Sequence, residues 1–117
     1  GEIIALMKQK PTNLCGGISL KQLGALFERS DLLISGDSGP LHVAAALARP
    51  VIALFGPTDQ SITGPLATCN AVVLQKDVDC AIPCYTVDCS DNRCMAAIGV
   101  EDVLNCIEKN QWLRTKK

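Results

Sequence analysis

The segment Ser35-Gly36-Asp37-Ser38-Gly39-Pro40-Leu41-His42 gathers two glycines, a carboxylate, two hydroxyls and an imidazole. Glycines let a backbone approach a ligand closely, and the amides at the head of a following helix carry partial positive charge suited to a phosphate or diphosphate. Ser38 can cap that helix or donate to a phosphate oxygen, and His42, one turn inside it, can reach the same anion as a donor. Asp37 would be repelled by phosphates, so it suits sugar hydroxyls or the shaping of the loop. The same residues also read as ordinary turn chemistry, and a lone histidine is commonly a satisfied helix residue. Residue types alone therefore leave an anion site and a plain turn both open.

A second punctuated loop, Gly56-Pro57-Thr58-Asp59, carries the same ambiguity, since Thr58 or Asp59 can simply cap a short helix. Further on, Cys80, Cys84, Cys89 and Cys94 are enough thiols for a structural zinc site, but their spacing is not the paired two-residue spacing of zinc ribbons. A zinc site, a lattice of oxidisable thiols and a plain loop of semi-buried cysteines all stay open. Cys15, Cys69 and Cys106 read as core or near-core hydrophobes. A catalytic thiol is not expected, because the only histidine, His42, belongs to the earlier turn. No metal is assigned on this reading.

These loops need elements to hold them. Ile3, Ile4, Leu6 and Met7 fall at helical spacing before Lys10-Pro11 stops the segment. Ser19 with Gln22 three residues later has the form of a capping box, opening a helix with Leu20, Leu23, Leu26 and Phe27 on one face and an end near Arg29. Leu32-Leu33-Ile34-Ser35, Val51 to Phe55 and Ala71 to Leu74 are short apolar runs of the kind found in strands covered on both faces. The alanine-rich stretch Leu41 to Ala48 reads as a helix begun by Pro40 and ended by Arg49-Pro50. Val100, Val103, Leu104 and Ile107 mark a last amphipathic helix, and Lys76 to Arg93 shows no period. Buried strands alternating with helices imply parallel βαβ units, in which ligands bind beyond the carboxyl ends of the strands.

The chain has 117 residues, 48% of them hydrophobic, with a formal charge of -1. That is enough apolar material for one core, so residues 1–117 are expected to form a single domain. Apart from the terminal Lys116 and Lys117, no basic run suits a nucleic-acid phosphate footprint, and the longest apolar stretch, Val43 to Phe55, is broken by Arg49 and Pro50, short of a membrane span. The opening residues read as mid-helix, as in a piece of a longer chain. Seven cysteines without a secretion-type leader favour a reducing, cytoplasmic compartment.

The run GDSGPLHVAAALARPVIALFGPTD, Gly36 to Asp59, resembles the signature of the ADP-heptose:lipopolysaccharide heptosyltransferases, glycosyltransferase family 9. Asn13 to Leu20 resembles the family's upstream loop, and Cys80-x3-Cys84-x4-Cys89-x4-Cys94-Met95 resembles a cysteine-rich loop of the second-heptose branch. The resemblance implies an α/β fold, the Rossmann-like carboxyl-terminal half of a two-domain GT-B enzyme. It also implies that this half binds ADP-heptose, while an amino-terminal half receives the lipopolysaccharide core acceptor. On that basis Asp37 contacts the heptose, Ser38 and Gly39 present donors to the diphosphate, His42 completes the pocket, and Ile18 lies against the adenine. The implied reaction uses no cofactor, no obligatory metal and no covalent intermediate, with the general base and a phosphate-binding lysine upstream of the part represented here. This chain alone would then bind donor weakly and catalyse nothing. Work on a lipid-anchored acceptor implies the cytoplasmic face of the bacterial inner membrane, with peripheral membrane contact open. The family commonly has lysine where this chain has Gly17, and asparagine where it has Gly36. The alternatives are another GT-B nucleotide-sugar enzyme or a non-catalytic cysteine-rich metal or redox module.

Overall fold

Three of the apolar runs become three parallel strands. The computed structural model describes residues 2–66 and 70–113. In chain order its elements are α1 (Glu2–Leu6), α2 (Leu20–Glu28), β1 (Leu33–Gly36), α3 (Gly39–Ala46), β2 (Val51–Phe55), α4 (Gln60–Thr63), β3 (Ala71–Gln75), α5 (Arg93–Ala96) and α6 (Val100–Asn110). The sheet runs β1-β2-β3, with Leu33 beside Val51 and Val51 beside Ala71.

The central strand explains the order. Val51, Ile52, Ala53 and Phe55 have no exposed surface, so β2 is covered on both faces, as its unbroken apolar run predicts. Side chains alternate across a strand, and Val51, Ala53 and Phe55 share one cluster with Phe27 of α2 and with Leu41 and Ala44 of α3. Full burial of each large member contributes roughly 1.5–3 kcal/mol, which makes this cluster the anchor of the fold. α6 packs against β3, and α5 approaches β2.

Local chemistry sets the helix ends. Ser19 Oγ accepts from the Gln22 amide at 3.3 Å while Gln22 Oε1 accepts from the Ser19 amide at 2.8 Å, the reciprocal box that the spacing predicts. The end of α3 closes in a Schellman arrangement. Arg49 N–H donates to the Ala44 carbonyl and Ala48 N–H to the Ala45 carbonyl, with Ala48 left-handed at φ 53°. Arg49 then does more than break the helix: its Nε and Nη2 both donate to the Ser30 carbonyl, at 3.1 and 2.6 Å, tying the end of α3 to the end of α2. α6 ends the same way, with Gln111 at φ 53° and the Trp112 amide donating to the Ile107 carbonyl.

Several expectations need correcting. β1 is not covered on both faces: its burial alternates, and Ile34 is 47% exposed, because the described chain packs α2 and α3 only on the Leu33 side. α1 forms, but Ile3, Leu6 and Met7 are exposed. In α2, Leu23 and Phe27 pack inward whereas Leu20 is 71% exposed, since the first helical turn lies beyond the edge of the cluster. Val100 and Leu104 of α6 are likewise exposed. Cys106 is buried as expected, Cys15 is exposed in a turn, and Cys69, Lys116 and Lys117 lie outside the described residues. Among the described residues no helix is long and apolar enough to cross a membrane.

Ala48 generates a stability prediction. An L-residue in the left-handed region costs roughly 1–2 kcal/mol, and glycine relieves that while adding about 0.5–1 kcal/mol of unfolded-state freedom. Ala48→Gly is expected to raise the unfolding free energy by about 0.5–1 kcal/mol in urea denaturation. An unchanged or lower midpoint would refute the role given to this cap.

Candidate functional site

Both glycine-containing loops leave the carboxyl ends of neighbouring strands. β1 ends at Gly36 and β2 at Phe55, and their parallel pairing sets the turn 36–39 beside the loop 56–59. Gly56 is buried between elements: a Cβ there would sit 2.5 Å from Met95 Sδ and 3.2 Å from Cys94 Sγ, so a larger residue would have to displace the Met95 side chain where α5 closes over the end of β2. Gln75, the last residue of β3, holds the loop from the other side, its Nε2 donating to the carbonyls of Gly56 at 3.2 Å and Thr58 at 2.8 Å.

Ser38 takes the N-cap position of α3 without capping it. Its hydroxyl instead lies 3.1 Å from Ser35 Oγ and donates to the Gly36 carbonyl at 3.3 Å. Pro40 has no amide proton, and the Leu41 amide donates to the Ser38 carbonyl at 3.1 Å. The Gly39 amide is thus a donor left without a partner among the described residues at the head of the helix, part of the partial positive charge an anion meets there.

Asp37 and His42 meet above this turn. Asp37 Oδ1 stands 4.0 Å from His42 Nε2, too long for a direct hydrogen bond; the His42 side chain is 49% exposed and that of Asp37 18%. The second carboxylate oxygen is engaged. Thr63 Oγ1 donates to Asp37 Oδ2 at 2.7 Å. Thr63 closes α4, which Asp59 caps at its start: Asp59 Oδ1 accepts from the Ser61 amide and hydroxyl at 2.8 and 2.7 Å. These two hydrogen bonds, hydroxyl first and amide second, hold the Asp59 carboxyl below its ordinary range.

The structure thus brings Asp37, Ser38, Gly39 and His42 into one turn. Ile18 is half-buried in the bend before Ser19, at the head of α2 and outside that turn. Sequence reasoning missed Thr63 and Gln75. Each acts across a gap in the chain, 26 residues for Thr63 to Asp37 and 19 for Gln75 to Gly56, so only the strand pairing could have signalled them.

The cysteine segment leans on the same loop. The Cys84 amide donates to the Pro57 carbonyl at 2.7 Å. Cys80, Cys84, Cys89, Cys94 and Arg93 line a hollow of about 360 Å³, and all four thiols are free. Among the described residues no group of three or more His, Cys, Asp or Glu side chains is arranged to hold a metal ion.

Comparison with known proteins settles the lineage. The description "Glycosyltransferase family 9 (heptosyltransferase)" matches residues 1–93. The chain belongs to this family. It is 33% identical over 113 residues to a lipooligosaccharide heptosyltransferase 2 of Campylobacter jejuni, covering 92% of this chain and 35% of that one. A lipopolysaccharide heptosyltransferase 2 of Salmonella typhimurium is 44% identical over 55 residues, covering 47% of this chain and 16% of the relative. The crystal structure of a family 9 glycosyl transferase from Veillonella parvula superposes with a TM-score of 0.78 at 29% identity, covering 92% of this chain and 31% of that one. The family 9 chain here therefore spans about a third of the length of the Campylobacter and Veillonella relatives, and its parallel sheet flanked by helices is the α/β, Rossmann-like architecture shared with the Veillonella structure.

The thiols generate a reactivity prediction. Hydrogen bonds from Thr86, side chain first and backbone second, hold the Cys84 thiol below its ordinary pKa, while burial pushes Cys106 up despite a hydrogen bond from Asn110. As pH rises, Cys84 becomes thiolate earlier than an ordinary thiol and Cys106 later. Limited alkylation with iodoacetamide near pH 8, read by peptide mass spectrometry, is expected to label Cys84 well before Cys106. Equal rates, or the reverse order, would contradict these environments.

Proposed function

We propose that this chain forms the carboxyl-terminal, donor-binding half of a glycosyltransferase that moves heptose from ADP-heptose to the lipopolysaccharide inner core. The observation that carries the reading is the turn from Gly36 to His42: an uncapped helix head, a carboxylate and a half-exposed imidazole meet at the carboxyl end of a parallel strand. Open parallel sheets bind ligands at that end. The heptosyltransferase names of the relatives supply the sugar and acceptor class.

In this reading the Gly39 amide meets the diphosphate, the Ser38 hydroxyl turns from the Gly36 carbonyl to join it when the donor binds, and His42 donates to it from the first turn of α3. Asp37 faces the heptose hydroxyls, and Ile18 packs against the adenine. Departure of ADP builds negative charge on the diphosphate, which fixed donors stabilise without reorganising. The base that accepts the acceptor's hydroxyl proton comes from the half of the enzyme that receives the acceptor. Because that acceptor is lipid-anchored, the reaction belongs at the cytoplasmic face of the inner membrane.

Isothermal titration of the chain with ADP tests the turn. Saturable binding is expected, weakened about tenfold by His42→Ala, the scale of one hydrogen bond to a charged group. Asp37→Ala is expected to matter less for ADP than for ADP-heptose. Absence of saturable binding at millimolar ADP, or full indifference to His42→Ala, would remove the donor site from this turn.

A further inference from the structure

We propose that Thr63 is a positioning residue for sugar recognition, acting by holding the Asp37 carboxylate in an acceptor-only arrangement that takes hydroxyl donors of a nucleotide-linked sugar. This rests on the reading of the turn as a donor site and goes beyond it, since neither the signature nor the relatives' names assign anything to α4.

The hydroxyl of Thr63 has two acceptors in reach, Asp37 Oδ2 at 2.7 Å and the carbonyl of Asp59 at 3.3 Å. It carries one proton, and the shorter contact to a charged oxygen takes it. Two features fix Thr63 in place. Asp59 caps α4 through the Ser61 amide and hydroxyl. At the other end the Gly64 amide donates to the Gln60 carbonyl at 2.9 Å, and a Cβ on Gly64 would collide with that carbonyl. Thr63 therefore has a defined place from which to reach across to β1's turn.

The consequence is chemical. With its proton committed, the Thr63–Asp37 pair offers no further donor. What remains is Asp37 Oδ1, which makes no hydrogen bond among the described residues, and the lone pairs of Thr63 Oγ1. Two acceptors with no donor repel phosphate oxygens and suit O–H groups, which a sugar with neighbouring hydroxyls supplies. The same turn thus has an anion-accepting part, at Gly39 and His42, and a hydroxyl-accepting part, at Asp37 and Thr63. The second part separates a nucleotide sugar from the free nucleotide.

The test is titration of the chain with ADP-heptose and with ADP, for the unmodified protein and for Thr63→Val, Thr63→Ala and Thr63→Ser, with a thermal unfolding midpoint for each. Thr63→Val and Thr63→Ala are expected to weaken ADP-heptose about tenfold and leave ADP within about twofold, while Thr63→Ser, which keeps the hydroxyl, restores the preference. Equal losses for both ligands, no loss for either, or a Thr63→Ser protein that behaves like Thr63→Val would overturn the assignment. If the unmodified chain binds neither ligand, the donor site itself falls and this role with it. If it binds both and the Thr63 variants keep the same preference, only the role of Thr63 falls.

Discussion

Everything in this fold hangs on the burial of β2. A strand with both faces sealed must have covering layers, and it must have paired strands on both edges to satisfy its amides and carbonyls. β1 and β3 meet the second demand, and α2 with α3 meet the first on the Val51, Ala53 and Phe55 side. Parallel pairing then has a geometric result. The carboxyl ends of β1 and β2 come out together, so the turn at Gly36 and the loop at Gly56 become neighbours although they are distant in sequence. Arg49, by gripping the Ser30 carbonyl, locks the two helices that cover this strand to each other.

The candidate site is built from that adjacency rather than from any one segment. α3 supplies an uncapped head because the Ser38 hydroxyl turns back toward Ser35 and Gly36. α4 supplies the partner for Asp37, and Gln75 at the end of β3 pins the carbonyls of the intervening loop. One carboxylate is consequently split between two tasks. Its Oδ2 is taken by the Thr63 hydroxyl, whereas Oδ1 makes no hydrogen bond among the described residues and the nearby imidazole is half-exposed.

What could be read in advance divides by sequence distance. The Ser19–Gln22 box, the Asp59 cap and the three apolar strands are local patterns, set by residues within a few positions of one another, and each appears where the spacing places it. The grouping of Asp37, Ser38, Gly39 and His42 was legible for the same reason. Thr63 was not, because a threonine at the end of a four-residue helix carries no signal until strand pairing sets it against Asp37. Apolar periodicity also overstated burial: Ile34, Leu20 and Val100 have the right spacing but lie where the described chain puts nothing over them. Cys15 failed similarly, since cysteine's preference for interiors yields to a turn whose backbone faces water.

The left-handed end of α6 has one more consequence, and it is spectroscopic. The chain has a single tryptophan, Trp112, whose amide closes that cap onto the Ile107 carbonyl. α6 packs on β3, with β2 between it and the strand that delivers Asp37. Intrinsic fluorescence is therefore a reporter stationed at the far edge of the sheet. Its emission follows the docking and melting of the last helix, while occupancy of the Gly36 to His42 turn has to be followed by a signal that belongs to the ligand.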